Sequence, residues 1–125
     1  MKKIVKLFLF NLLISFSIFA QDASINTIIN AFHTGDLTVL SPILGSNVNL
    51  LLLEEESKFP KDKLIQAVNT FLAANPAKGM SLKHNGASEG GNKFLLGRFQ
   101  SGDHQYRTYL VFKNELITEI CIEED

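Results

Sequence analysis

Apolar positions recur along this chain with two periods, and the change from one to the other divides it. Ile25, Ile28, Ile29 and Phe32 fall on one face of a 3.6-residue repeat. They predict a helix that Ser24 can cap and Gly35 can stop. Asp36 can cap a short second helix carrying Leu37 and Leu40, which Pro42 and Gly45 end. Asn47 to Leu53 is a nearly continuous apolar run, short enough to predict a strand buried on both faces. Glu54, Glu55 and Glu56 close it on a solvated turn. Pro60 suits a first helical position and Asp62 the positive end of a helix dipole. Leu64, Ile65, Val68, Phe71 and Leu72 then form one stripe, which Asn75 and Pro76 terminate.

Beyond Pro76 the period becomes two. Met80, Leu82, His84 and Gly86 alternate with Ser81, Lys83 and Asn85. Ser88 to Asn92 is turn chemistry. Strands follow over Lys93–Gln100, His104–Lys113 and Leu116–Glu123, joined by turns at Ser101-Gly102-Asp103 and Lys113-Asn114-Glu115. In the last strand Leu116, Thr118, Ile120 and Ile122 should share one face, and Ile117, Glu119, Cys121 and Glu123 the other. Helices followed by a meander predict an α+β domain, in which a bent, mainly antiparallel sheet wraps over the long helix.

The first twenty residues stand apart. Lys2, Lys3 and Lys6 precede an apolar run, Leu7 to Phe19, then Ala20 and the polar Gln21 and Asp22. This pattern predicts a secretory signal peptide cut after Ala20, leaving one domain over 21–125 and no stable membrane anchor. The expected location is periplasmic or secreted. The mature part holds nine Lys and Arg against thirteen acids, a formal charge of −4. That balance argues against nucleic-acid binding. The one cysteine, Cys121, cannot form an internal disulfide, so the domain must rely on its core.

Several segments together carry a resemblance: Phe71-Leu72-x-x-Asn75-Pro76, His84-x-Gly86-x-Ser88 with Gly90, Gly97, Tyr106-Arg107-x-Tyr109 and Ile120-x-Ile122-Glu123. In order and spacing the chain resembles the nuclear transport factor 2-like, or ketosteroid-isomerase-like, superfamily of conical α+β domains. More closely it is similar to a small exported bacterial family within it, known as a domain of unknown function. The resemblance implies a fold and a compartment, and no reaction.

Candidate chemistry is sparse. His84 should face the helix side of the sheet, where an imidazole suits acid–base work or a ligand contact. Arg98 shares a strand face with Phe94 and Leu96, and its guanidinium suits a carboxylate or phosphate. Tyr106 and Arg107 must face opposite sides, with Tyr109 beside Arg107. His84, Arg98, Tyr106 and Tyr109 are therefore the candidate ligand contacts, against the simpler reading that Arg107 pairs with Glu119 or Glu123 across strands. No cofactor or metal is expected: His33, His84 and His104 are far apart, and His33 instead suits a helix C-terminus in its charged form. Cys121 shares its face with Glu119 and Glu123, whose charges oppose a thiolate. Glu119 is out of phase with Ile120 and Ile122, so it is no isomerase-type base in an apolar cone. The expected function is a non-catalytic exported domain that binds a small ligand or a partner protein. The alternatives are a small-molecule enzyme using His84 as acid or base, and a ligand-free dimeric scaffold.

Overall fold

In the computed structural model the described residues are 24–87 and 92–125, and the side chains of His84, Asn85 and Ala87 also lie outside the description. The expected signal peptide and the turn at Ser88–Gly91 therefore fall outside it.

Helix α1 spans 24–34 and buries Ile28, Ala31 and Phe32. It ends where Gly35 takes φ +73°; the Asp36 N–H then reaches back to the Ala31 carbonyl at 3.0 Å and the Gly35 N–H to that of Phe32 at 3.2 Å. Both bonds satisfy carbonyls that a helix end leaves open. Asp36 caps the next element, a 3-10 helix over Leu37–Ile43, accepting from the Thr38 N–H at 3.0 Å. Asn69 locks this corner: its Oδ1 accepts from the Leu37 N–H at 2.8 Å and its amide donates to Asp36 at 3.2 Å. Hydrogen bonds from Thr38 and Asn69 hold the Asp36 carboxyl below its ordinary value.

Strand β1 (Leu44–Leu52) and strand β2 (Glu55–Pro60) form an antiparallel hairpin. The Glu54–Glu56 region was expected to be only a solvated turn, and β2 was not expected at all. Its residues carry no apolar alternation because it is a charged edge strand, held by pairing with β1 rather than by a buried face. Pro60 closes β2 opposite Asn47, so it sits at the N-cap (φ −62°, ψ 156°) and not at the first helical position. Nor is β1 buried on both faces. Val48 and Leu50 are buried, while Asn49 and Leu51 are only partly covered.

Helix α2 (Lys61–Ala74) buries Leu64, Val68, Phe71 and Leu72 of the expected stripe, with its fifth member, Ile65, partly buried. Strands β3 (Lys78–Ala87), β4 (Lys93–Ser101), β5 (His104–Lys113) and β6 (Leu116–Glu124) complete one six-stranded sheet in the order β2-β1-β6-β5-β4-β3. Every neighbouring pair is antiparallel except β1 with β6. The α+β class and the mainly antiparallel sheet agree with the sequence.

One alternation fails. Glu119 pairs with Val111 but Ile117 pairs with Phe112, so Thr118 is an extra residue in β6. This bulge reverses the faces beyond it. Ile117 is buried and Leu116 exposed, the opposite of the expected phase.

Candidate functional site

The two faces of the sheet have different fates. The inner face is closed by the helices and filled with aromatic side chains. Phe99 stacks on Tyr106 at 5.2 Å, Phe71 meets the Tyr106 ring edge-on at 5.4 Å, and Phe32 lies 6.0 Å from Phe99. The Tyr106 hydroxyl donates to Asn75 Oδ1 at 3.3 Å, joining the end of α2 to the sheet. Gly97 makes this packing possible: a Cβ there would lie 2.5 Å from Leu82 Cδ2 and 2.6 Å from the Ser81 carbonyl oxygen.

One polar atom on this face is orphaned. Thr108 is fully buried, directly opposite Gly97, and its hydroxyl has no hydrogen-bond partner. An unpaired buried hydroxyl costs about 1–3 kcal/mol. Thr108→Val keeps the shape and removes the hydroxyl, so it should raise stability by about 1 kcal/mol in a urea titration. Destabilisation by that amount would mean the hydroxyl is bonded.

The core residues of the described helices lie with the inner face. Its cross-strand register sets out three rows. The first runs Lys58, Asn49, Glu119, Val111, Phe94 from β2 to β4. The second runs Glu56, Leu51, Cys121, Tyr109, Leu96, Lys83 across all six strands. The third holds Glu123, Arg107, Arg98 and Ser81 from β6 to β3. Its middle is an apolar band. Phe94 stacks on Tyr109 at 5.7 Å, and Leu51, Leu96 and Cys121 are half-buried beside them. The borders are charged. Arg107 donates to Glu123 at 2.9 Å, and Arg98 meets Asp125 at 3.5 Å. The Asn49 amide donates to Glu56 at 3.0 Å.

The candidate contacts divide between these faces. Arg98 and Tyr109 lie on the outer face and Tyr106 on the inner one. His84 pairs with Leu95 through the backbone register, and its side chain lies outside the described residues. Tyr106 is fully engaged by Phe71, Phe99 and Asn75. The expected cross-strand pair of Arg107 with Glu123 is present and depresses the Glu123 carboxyl. His33 lies in the last turn of α1, the helix end where it was expected. Its Nε2 accepts from the Met80 N–H at 3.2 Å and so bridges α1 to β3. His104 opens β5, and its Nδ1 lies 2.6 Å from Glu124. Among the described residues no three His, Cys, Asp or Glu converge on a metal position. The sequence held no cue that Leu51, Leu96 and Tyr109 would form one band, because register across non-consecutive strands is not written in any local pattern.

Cys121 sits mid-band. Burial, then the Glu123 charge, pushes its thiol up to about 11. Against an ordinary value of 9.0, this leaves about a hundredfold less thiolate near neutral pH. Its reaction with a disulfide reagent should be about tenfold slower than that of a free thiol at neutral pH, since the higher-pKa thiolate is also the stronger nucleophile, and should rise steeply up to about pH 11. Fast labelling at pH 7 would contradict this environment.

Comparison with known proteins agrees with this architecture. A protein of the DUF4783 family from Bacteroides uniformis ATCC 8492 superposes with a TM-score of 0.71 at 19% identity, covering 80% of this chain and 95% of its own. A second, from Bacteroides fragilis YCH46, gives 0.70 at 22%, with 79% and 96% covered. An NTF-2 like protein of unknown function from Burkholderia xenovorans LB400 gives 0.60 at 10%, with 83% and 81% covered. No curated protein matches the chain. These likenesses show a nuclear transport factor 2-like α+β fold, and because the model of the domain of unknown function DUF4783 matches residues 25–123, the chain belongs to that family.

Proposed function

We propose that this protein is an exported, non-catalytic binding domain that works through the outer face of its sheet, and that it docks a protein rather than a small molecule. The observation that carries this reading is the contrast between the faces. The inner concavity is occupied by Phe32, Phe71, Phe99 and Tyr106, each at most 9% exposed. The outer face leaves a half-covered apolar band between charged borders, the usual make-up of a protein-docking surface. Export rests on the charged and apolar start of the chain, Lys2 to Ala20. Among the described residues no helix is long and apolar enough to cross a membrane.

Hydroxyl-radical footprinting in the envelope fraction of the native host tests the reading. Phe94, Leu96 and Tyr109 should oxidise several-fold more slowly there than in the purified protein at high dilution. Equal rates in the two samples would overturn it.

A further inference from the structure

We propose that β3, an open edge of the sheet, is a second docking surface, and that it takes an extended acidic segment of a partner protein as an added strand. This surface is separate from the apolar band, and neither reading depends on the other. The sheet order leaves two edges, β2 and β3. β2 is defended: it is six residues long, exposes Glu55, Glu56 and Lys58, and ends at Pro60. β3 runs for ten residues, Lys78–Ala87. At its foot the Met80 N–H leaves the ladder and bonds His33 Nε2 on α1 at 3.2 Å. The Ser81 carbonyl faces β4, since a Cβ on Gly97 would lie 2.6 Å from its oxygen. Along an antiparallel ladder the residues alternate in the side to which they turn their backbone groups. Leu82 and His84 therefore turn N–H and C=O outward, and among the described residues no backbone bond outside the ladders reaches them. Such a row of open donors and acceptors is the template for strand addition.

Charge selects the partner. Strands β3 and β4 carry Lys78, Lys83, Lys93 and Arg98 and no Asp or Glu, although residues 21–125 hold thirteen acids against nine Lys and Arg. Glu89, between the two strands, lies in the turn outside the described residues. Arg98 meets Asp125, while the three lysines make no ion pair among the described residues. Lys83 stands on the outer side of β3, and Leu82 packs against the core. An added strand continues both rows. Its outward residues come beside Lys83, where an acid makes a favourable cross-strand pair, and its inward residues extend the apolar row of Met80 and Leu82. The foot of the edge offers room for one more carboxylate. Lys78, Gly79, Gln100 and Gly102 line a cleft of about 380 Å³. A Cβ on Gly79 or Gly102 would meet nothing within 4 Å, so the cleft is open along both backbones. The Gln100 amide donates to the Gly102 carbonyl at 3.2 Å, which leaves the Lys78 ammonium as the charge that faces an incoming anion. A second copy of β3 would bring more cations to this edge and no acid, so the occupant is a foreign strand.

Fluorescence anisotropy with two labelled peptides, each as long as β3, tests the proposal. One alternates valine with glutamate and the other valine with lysine. The glutamate peptide should bind saturably and at least tenfold more tightly than the lysine peptide. Lys78→Glu and Lys83→Glu should each weaken it at least tenfold; both side chains are exposed, so thermal melting should find the fold intact. The comparison of the two peptides on the unaltered protein needs no variant. Hydrogen exchange separates an added strand from adsorption by charge. On binding, the Leu82 and His84 amides should slow at least tenfold, while those of Ser81 and Lys83, already in the ladder, should not change. No saturable binding, equal binding of the two peptides, or binding without slowed exchange at Leu82 and His84 would overturn the proposal. So would slow exchange at these two amides in the free protein that speeds up on dilution, the mark of a second copy on the edge. Envelope footprinting of Phe94 and Tyr109 decides the outer-face reading separately.

Discussion

Phe71→Ala should lower the free energy of unfolding by about 3–5 kcal/mol, a large share of the roughly 5–15 kcal/mol available to a domain of this size. Phe71 is 9% exposed and ends the α2 stripe of Leu64 and Val68. Its ring meets Tyr106 edge-on, and Tyr106 in turn stacks on Phe99. Truncation leaves a cavity that rigid neighbours on the sheet cannot close, and removes an aromatic pair worth about 0.5–1.5 kcal/mol beyond its area. The same helix end supplies Asn75, whose N–H bonds the Phe71 carbonyl at 2.8 Å and whose Oδ1 accepts from Tyr106. Displacement of the ring therefore also loosens a polar tie. A denaturant titration reads the effect directly. A loss below about 1 kcal/mol would mean that this end of the cone is not packed as described.

Gly97→Ala should cost about 3 kcal/mol, the upper end of the range for overpacking a well-filled core. Its backbone lies in an ordinary strand, so conformational freedom is not the issue. Space is. The added methyl group meets Leu82 Cδ2 at 2.5 Å and the Ser81 carbonyl oxygen at 2.6 Å. Leu82 can turn aside, but the carbonyl belongs to the β3–β4 ladder. Relief requires β3 to shift away from β4. Loss of protection in β3 amides, seen by hydrogen exchange, should therefore accompany the loss of stability. A neutral substitution with an undisturbed β3 would show that the two strands have room to spare.

Much of this fold was legible in the sequence because the responsible forces are local. The α2 stripe, the Asp36 cap, the Gly35 stop and the two hairpin turns after β4 and β5 each follow from a few adjacent residues. What escaped was decided at a distance. Strand β2 exists because β1 offers it a ladder, and Glu55, Glu56 and Lys58 say only that the edge is charged. The bulge at Thr118 leaves no trace in the periodicity, yet it moves Ile117 into the core. The bond from the Met80 N–H to His33 was not legible because the two residues lie 47 positions apart in the chain. The site was less legible than the fold for the same reason. Arg98 and Tyr109 were singled out one at a time, whereas the band they border is a property of six strands in register. For Cys121 the upward direction was legible from Glu119 and Glu123 on the same strand, while the larger cause, burial, was not.

The most direct test of the account is methyl NMR of the labelled protein with and without envelope extract of the native host, because adjacent leucines in two strands point to opposite faces. Leu51 and Leu96 lie on the outer face, and Leu50 and Leu95 are buried on the inner one. The account predicts that the methyl resonances of Leu51 and Leu96 move or broaden when the extract is added while those of Leu50 and Leu95 stay fixed. Changes at Leu50 and Leu95 with Leu51 and Leu96 unmoved, or no change at any of the four, would contradict it.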